Sequence, residues 1–128
     1  MRLLLDTHTL LWWLAGDQAL SDAACEAIAD PDNEVFISAA SAWEIATKYR
    51  LGRLPGAALI AADIAGAVAS QGFTELPISI RDGQAAGGLP AVHKDPFDRM
   101  LIAQAVTAGM VIVSNEALFN AYAVPRLW

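Results

Sequence analysis

Short runs of consecutive apolar residues alternate along this chain with longer stretches whose apolar positions recur every three or four residues. The first pattern predicts buried strands and the second predicts helices. Arg2–Leu5 is the first run and ends at Asp6. Thr7-His8-Thr9 opens a helix through Leu10, Leu11, Trp12, Trp13 and Leu14, which Gly16 stops. Ser21 caps a second helix to about Ala29, and Asp30-Pro31-Asp32-Asn33 is a turn. A second strand covers Glu34–Ile37, and Ser38-Ala39-Ala40-Ser41 leads into a helix over Ala42–Leu51 closed by Gly52. Ile60, Ile64 and Val68 share one face of a long helix expected over 57–71. A third strand follows at Phe73–Leu76, then a short helix near Arg81–Ala86 and a flexible Gly87-Gly88-Leu89-Pro90 loop. Asp95 then stands at a helix N-cap, Pro96 at the first helical position and Asp98 in the first turn, ahead of Leu101, Ile102 and Ala105. Met110–Val113 is the fourth strand, and Val124 begins a fifth.

Strands alternating with helices predict an α/β fold: a mostly parallel central sheet of four to five strands with helices on both faces, residues 1–128 forming one domain. Sheets of this kind bind ligands at the carboxyl ends of their strands. Asp6 and the Ser114-Asn115-Glu116 segment both fall at that edge.

Composition narrows the function classes. A hydrophobic fraction of 55% against 17% charged excludes disorder and supports a proper core. The net charge of -6 excludes a generic polyanion binder, so any nucleic acid must be met through local basic groups or bound metal. Lys48, Arg50 and Arg53 cluster at a helix C-terminus, where cations either complement the helix dipole or bind phosphate. Cys25 is the only cysteine, which rules out an intrachain disulfide and a cysteine zinc cluster and fits a cytoplasmic setting. Asp63 interrupts the Ala-rich stretch from Leu54 to Gly72, so no membrane span is expected.

Four carboxylates carry the chemistry: Asp6, Glu44, Asp98 and Glu116. Each has a plain structural use. Ser41-Ala42-Trp43-Glu44 has the spacing of a capping box, Asp6 can cap the helix it precedes, and Glu116 can sit in a first turn after Ser114. Together they are harder to explain, because clustered carboxylates repel unless a cation sits among them. Such oxygens suit Mg²⁺ or Mn²⁺, ions that polarise a phosphoryl group and activate a water for in-line attack. A hard-oxygen ion does not need imidazole. His8 is therefore expected as a hydrogen-bonded neighbour of Asp6, and His93 as a group that steers substrate or orders its loop. Trp12, Trp13 and Trp43 are expected in the core or a subunit interface rather than under a stacked base. Arg99 either binds a scissile phosphate or a partner's carboxylate, or is a solvated charge.

Four ordered motifs extend this reading across the chain. They are Asp6-Thr7-His8-x-x-Leu-Trp12, Ser38-x-x-Ser41-x-Trp43-Glu44-Ile45, His93-x-Asp95-Pro-Phe-Asp98-Arg99, and Val113-Ser114-Asn115-Glu116 with its Tyr122-x-Val124-Pro-x-Leu-Trp128 ending. Together the sequence resembles PIN-domain proteins, and among them the VapC-type toxins of toxin–antitoxin modules. The resemblance implies a three-layer α/β/α sandwich and a Mg²⁺- or Mn²⁺-dependent ribonuclease acting on RNA. It implies a metal-binding and catalytic quartet at Asp6, Glu44, Asp98 and the acid after strand four. Ser114, Thr7 and Asn115 would support that quartet, with Asp95 as accessory acid or cap and Arg99 and His93 toward substrate. It also implies a cognate antitoxin and a homodimer. One position departs: the family's fourth acid is usually Asp, and here Glu116 follows Asn115. Two other readings remain open. The acidic cleft of a catalytically weak or inactive module can bind a basic antitoxin peptide, and a receiver-like pocket can accept phosphate, although no Lys follows strand four.

Overall fold

β1 (Arg2–Leu5) lies at the centre of a five-stranded sheet in the order β3-β2-β1-β4-β5, and every neighbouring pair is parallel. The computed structural model describes residues 1–128. β2 is Glu34–Ser38, β3 Thr74–Leu76, β4 Val111–Val113 and β5 Arg126–Leu127. The register sets Leu4 beside Phe36 on one side and Ile112 on the other, and Leu5 beside Val113. All five strands point the same way, so their carboxyl ends line one edge.

The alternation of strand side chains makes the layers. Leu3, Leu5, Val35, Ile37 and Val113 face one core with Leu10 of α1 (Thr7–Ala15), Ile28 of α2 (Asp22–Ala29) and Ile45 of α3 (Ala39–Arg50). Leu4, Phe36 and Ile112 face the other with Leu101, Ile102 and Ala105 of α7 (Pro96–Ala108). Each fully buried leucine contributes about 1.5–3 kcal/mol. Gly109, with φ 67°, ends α7 and lets the chain turn into β4 within two residues.

Three expectations change. The helix expected over 57–71 is two pieces, α4 (Ala58–Ala62) and α5 (Ile64–Ser70), after a 3₁₀ turn at Pro55–Ala57. Asp63 divides them because its carboxylate accepts from the Gly66 N–H and caps α5. α3 begins at Ala39 rather than Ala42. Ser38 is its N-cap, so Glu44 sits in the second turn and no capping box forms with Ser41. Gly87 and Gly88 belong to the last turn of α6 (Ile80–Gly88), whose start carries a true capping box between Ser79 and Asp82. No helix is long and apolar enough to cross a membrane.

Candidate functional site

Asp6 leaves β1 at the carboxyl edge and is 5% exposed. Its Oδ1 accepts from the Thr9 N–H at 2.8 Å, the N-cap of α1, and its Oδ2 accepts from Ser114 Oγ at 2.5 Å. Ser114 follows β4, is fully buried and also accepts the Glu116 N–H at 2.9 Å. Capping and site-building thus use the same carboxylate. Both of its oxygens are held, so its rotamer is locked before any ligand arrives.

Glu44 reaches the same edge from α3 and is 3% exposed. Thr7 Oγ1 donates to its Oε1 at 2.5 Å, and Lys48 Nζ donates to its Oε2 at 2.5 Å. Thr7 Oγ1 also lies 3.1 Å from Ser41 Oγ. Its one proton is committed to Glu44, so Ser41 is the donor in that pair.

Asp98 is different. It stands in the first turn of α7, behind Asp95, whose Oδ1 caps the helix by accepting from the Phe97 and Asp98 N–H groups. Burial is the largest influence on the Asp98 carboxyl, followed by the charges of Asp95, Glu44, Asp6 and Glu116, which together push it from 3.8 up to about 7. Every neighbour acting on it is negative. His93 Nε2 does lie 2.9 Å from Asp98 Oδ2. The same ring accepts the Asp95 N–H at its Nδ1 at 3.2 Å, so His93 bridges the two acids of the α7 start.

Glu116 is exposed, and its Oε1 accepts from the Leu118 N–H at 3.3 Å at the start of a 3₁₀ turn over Ala117–Ala121. Asn115 beside it is exposed.

The donor set suits a hard divalent cation. The groups facing one another are carboxylates, and a cation is what their mutual repulsion lacks. No three acidic, histidine or cysteine side chains converge as a closed ligand set. An ion held by one or two carboxylates and several waters, as Mg²⁺ commonly is, does not need three. A cavity of about 400 Å³ is lined by Ile37, Ala42, Ile64, Val68 and Leu76, with Ser38 and Glu75 as its polar side chains, and none of the four acids lines it.

Other candidates fall differently. Arg99 gives its two terminal nitrogens to five backbone carbonyls, those of Ala86, Gly87, Leu89, Pro90 and His93. It staples the 89–95 loop to α6 and has no terminal nitrogen facing the acids. Tyr122 completes that staple, accepting the His93 N–H and donating to the Pro90 carbonyl. His8 is exposed and packs on Trp12, 5.8 Å between ring centres, rather than bonding to Asp6. Trp12 and Trp13 are half-buried against Trp128 and Phe73, but Trp43 is 64% exposed, edge-on to Phe97. Two contributors went unassigned in sequence. Lys48 pairs with Glu44, a pairing the i,i+4 spacing could have signalled. Buried Gln104 accepts from Ser38 Oγ and donates to the Pro77 carbonyl, which only the folded chain brings together.

The PIN domain family model matches residues 3–125. The chain belongs to the PIN-domain family. Ribonuclease VapC22 of Mycobacterium tuberculosis is 31% identical over 127 residues, covering 96% of this PIN domain and 93% of the relative. Among solved structures, VapBC2 from Rickettsia felis, bound to a DNA fragment from its promoter, matches with a TM-score of 0.71 at 14% identity, over 98% of this chain and 97% of that one. DNA-bound VapBC from Salmonella typhimurium matches with a TM-score of 0.67 at 17% identity, over 98% and 96%. At those identities the likeness is one of fold, and it agrees with the α/β sandwich described above.

Proposed function

We propose that this PIN domain is a cytoplasmic, Mg²⁺- or Mn²⁺-dependent endoribonuclease and the toxin of a type II toxin–antitoxin pair. The observation that carries the proposal is Asp98: a carboxyl held at about 7 by burial and four other acids at the carboxyl edge of a parallel sheet. The ribonuclease named above supports the reaction class, and the VapBC complexes support an antitoxin partner. A homodimer accompanies the reading.

Asp6 and Asp98 would hold the ion, with Glu44 and Glu116 completing the cluster. A bound Mg²⁺ or Mn²⁺ would polarise the phosphoryl oxygens and make a water nucleophilic near neutral pH. The chain's own groups prepare for that. Ser114 and the Thr9 N–H fix the direction of Asp6. Thr7 fixes Glu44. Asp95 caps α7 and so sets the height of Asp98 above the sheet edge. Asp98 must lose its proton to ligate, which neighbouring negative charge opposes and a divalent cation favours.

Purified protein free of antitoxin, incubated with total RNA, tests the proposal. Discrete fragments that require Mn²⁺ or Mg²⁺, and vanish with EDTA or Asp98→Asn, are expected. Folded protein that cuts no RNA with either ion would refute it. That result would favour a second reading, a non-cleaving module whose acids bind a basic antitoxin segment, for which Glu116's service as a cap speaks.

A further inference from the structure

We infer that Lys48 is a resident counter-ion of Glu44, one that a divalent cation must displace before Glu44 can serve as its ligand. The inference rests on the metal-dependent reading above and concerns only how the chain holds its second acid. Glu44 is 3% exposed, and both of its oxygens are taken, one by the Thr7 hydroxyl and one by the Lys48 ammonium. The Lys48 side chain is 27% exposed, so its head stands where the buried carboxylate meets solvent. Glu44 precedes Lys48 by four residues on α3, the favourable order for a helical ion pair. A pair with one buried partner is also screened less than a surface pair.

The rest of the molecule marks this pair as special. Only one other acid lies in ion-pair distance of a basic group, Asp98 beside the His93 ring. Arg99, next to Asp98 in sequence, is spent on backbone carbonyls. Lys48 is thus the one Lys or Arg side chain in ion-pair contact with the acid cluster, and the acid it compensates is Glu44. An ammonium and a divalent cation on one carboxylate repel at contact distance. Lys48 and the ion therefore compete for Glu44, and the apo protein keeps a charge-balanced Glu44 in place of an exposed site of four anions.

The competing possibility is that Lys48 merely orients Glu44, as outer-shell partners of metal ligands do. The two roles have opposite signs. Calorimetric Mn²⁺ titration of the RNA-free protein, at fixed pH and ionic strength, reads the sign without any cleavage assay. Lys48→Met keeps the aliphatic stem and removes the charge, with Lys48→Gln as the replacement if the first variant does not fold. Loss of the competitor is expected to tighten Mn²⁺ binding by about tenfold. Lys48→Arg should leave it near the wild-type value, and in a Glu44→Gln background the Lys48 substitution should have no further effect. An orienting role would instead weaken binding by about 10–100-fold. Equal or weaker Mn²⁺ binding by the uncharged variant overturns the inference and leaves the nuclease reading standing. Failure of wild-type protein to bind Mn²⁺ overturns both.

Discussion

Asp6 and Asp98 stand at the same sheet edge, and the chain treats them in opposite ways. Around Asp6 the polar atoms are matched: Thr9 and Ser114 hold its two oxygens, while Thr7 and Lys48 hold those of Glu44. Around Asp98 they are not. The charges acting on it are those of acids, and burial and those charges raise its carboxyl to about 7. The first half is satisfied by the protein alone and is rigid. The second half carries unfavourable electrostatics that either a proton on Asp98 or a bound cation relieves. A folded chain can afford one such half because the other anchors it.

The difference can be broken by exchanging one atom. Asp98→Asn and Asp6→Asn should each lower RNA cleavage by at least about 10³-fold, about 4 kcal/mol of barrier, in a fixed-time assay with Mn²⁺. Their stabilities should move apart. Asp98→Asn removes an unfavourable charge and should raise the Tm of metal-free protein at pH 8. Asp6→Asn puts an amide where Ser114 donates and should cost about 1–3 kcal/mol. Two variants with equal Tm values would erase the distinction.

The pH dependence of stability sharpens it. Asp98 has a folded pKa of about 7 against 3.8 for the free side chain. Between those values the folded chain keeps a proton that the unfolded chain has lost. Stability of the metal-free protein should therefore fall as pH rises from about 4 to 7, by at most about 4 kcal/mol from this group. Urea melts across that range should show the slope in wild type and lose it in Asp98→Asn. Saturating Mg²⁺ should also flatten it, because the ion favours the charged carboxylate.

Thr7→Val should cost about 1–3 kcal/mol in the same melts, since it leaves Glu44 Oε1 and Ser41 without their partner in a buried site. Glu116→Ala should be mildest. It removes an exposed cap worth about 0.5–2 kcal/mol. Cleavage should fall by only about tenfold, because Glu116 lies at the site's rim.

Much of this was legible in the pattern of the chain. β1, β2 and β4 are short apolar runs with nothing to confuse them. Asp95-Pro96 marks the α7 start, because a cap and a first-position proline act locally. The misses share one cause: interactions that local spacing cannot encode. Ile60, Ile64 and Val68 keep helical periodicity across the break at Asp63, since the carboxylate caps a new helix in nearly the same direction. Ser41 has the local spacing of a cap, but the helix already starts at Ala39 behind Ser38, the last residue of β2. Arg99 beside Asp98 looked like a substrate group, but the carbonyls that capture it come from the end of α6 and the loop after it. Trp43 has the aliphatic neighbours of a core or subunit-interface residue, and of the two α3 rules out the core by turning it outward.

The bond from Ser114 to Asp6 joins positions 108 residues apart, and the strand bearing Asp6 is flanked on both sides by strands made later. A chain synthesised from its amino end therefore carries Asp6 long before its partner exists. Domains fold as units, and long-range strand pairing is slow. The growing polypeptide lacks the Ser114 bond to Asp6 until β4 pairs with β1. Strand order alone thus sets when Asp6 and its support can come together.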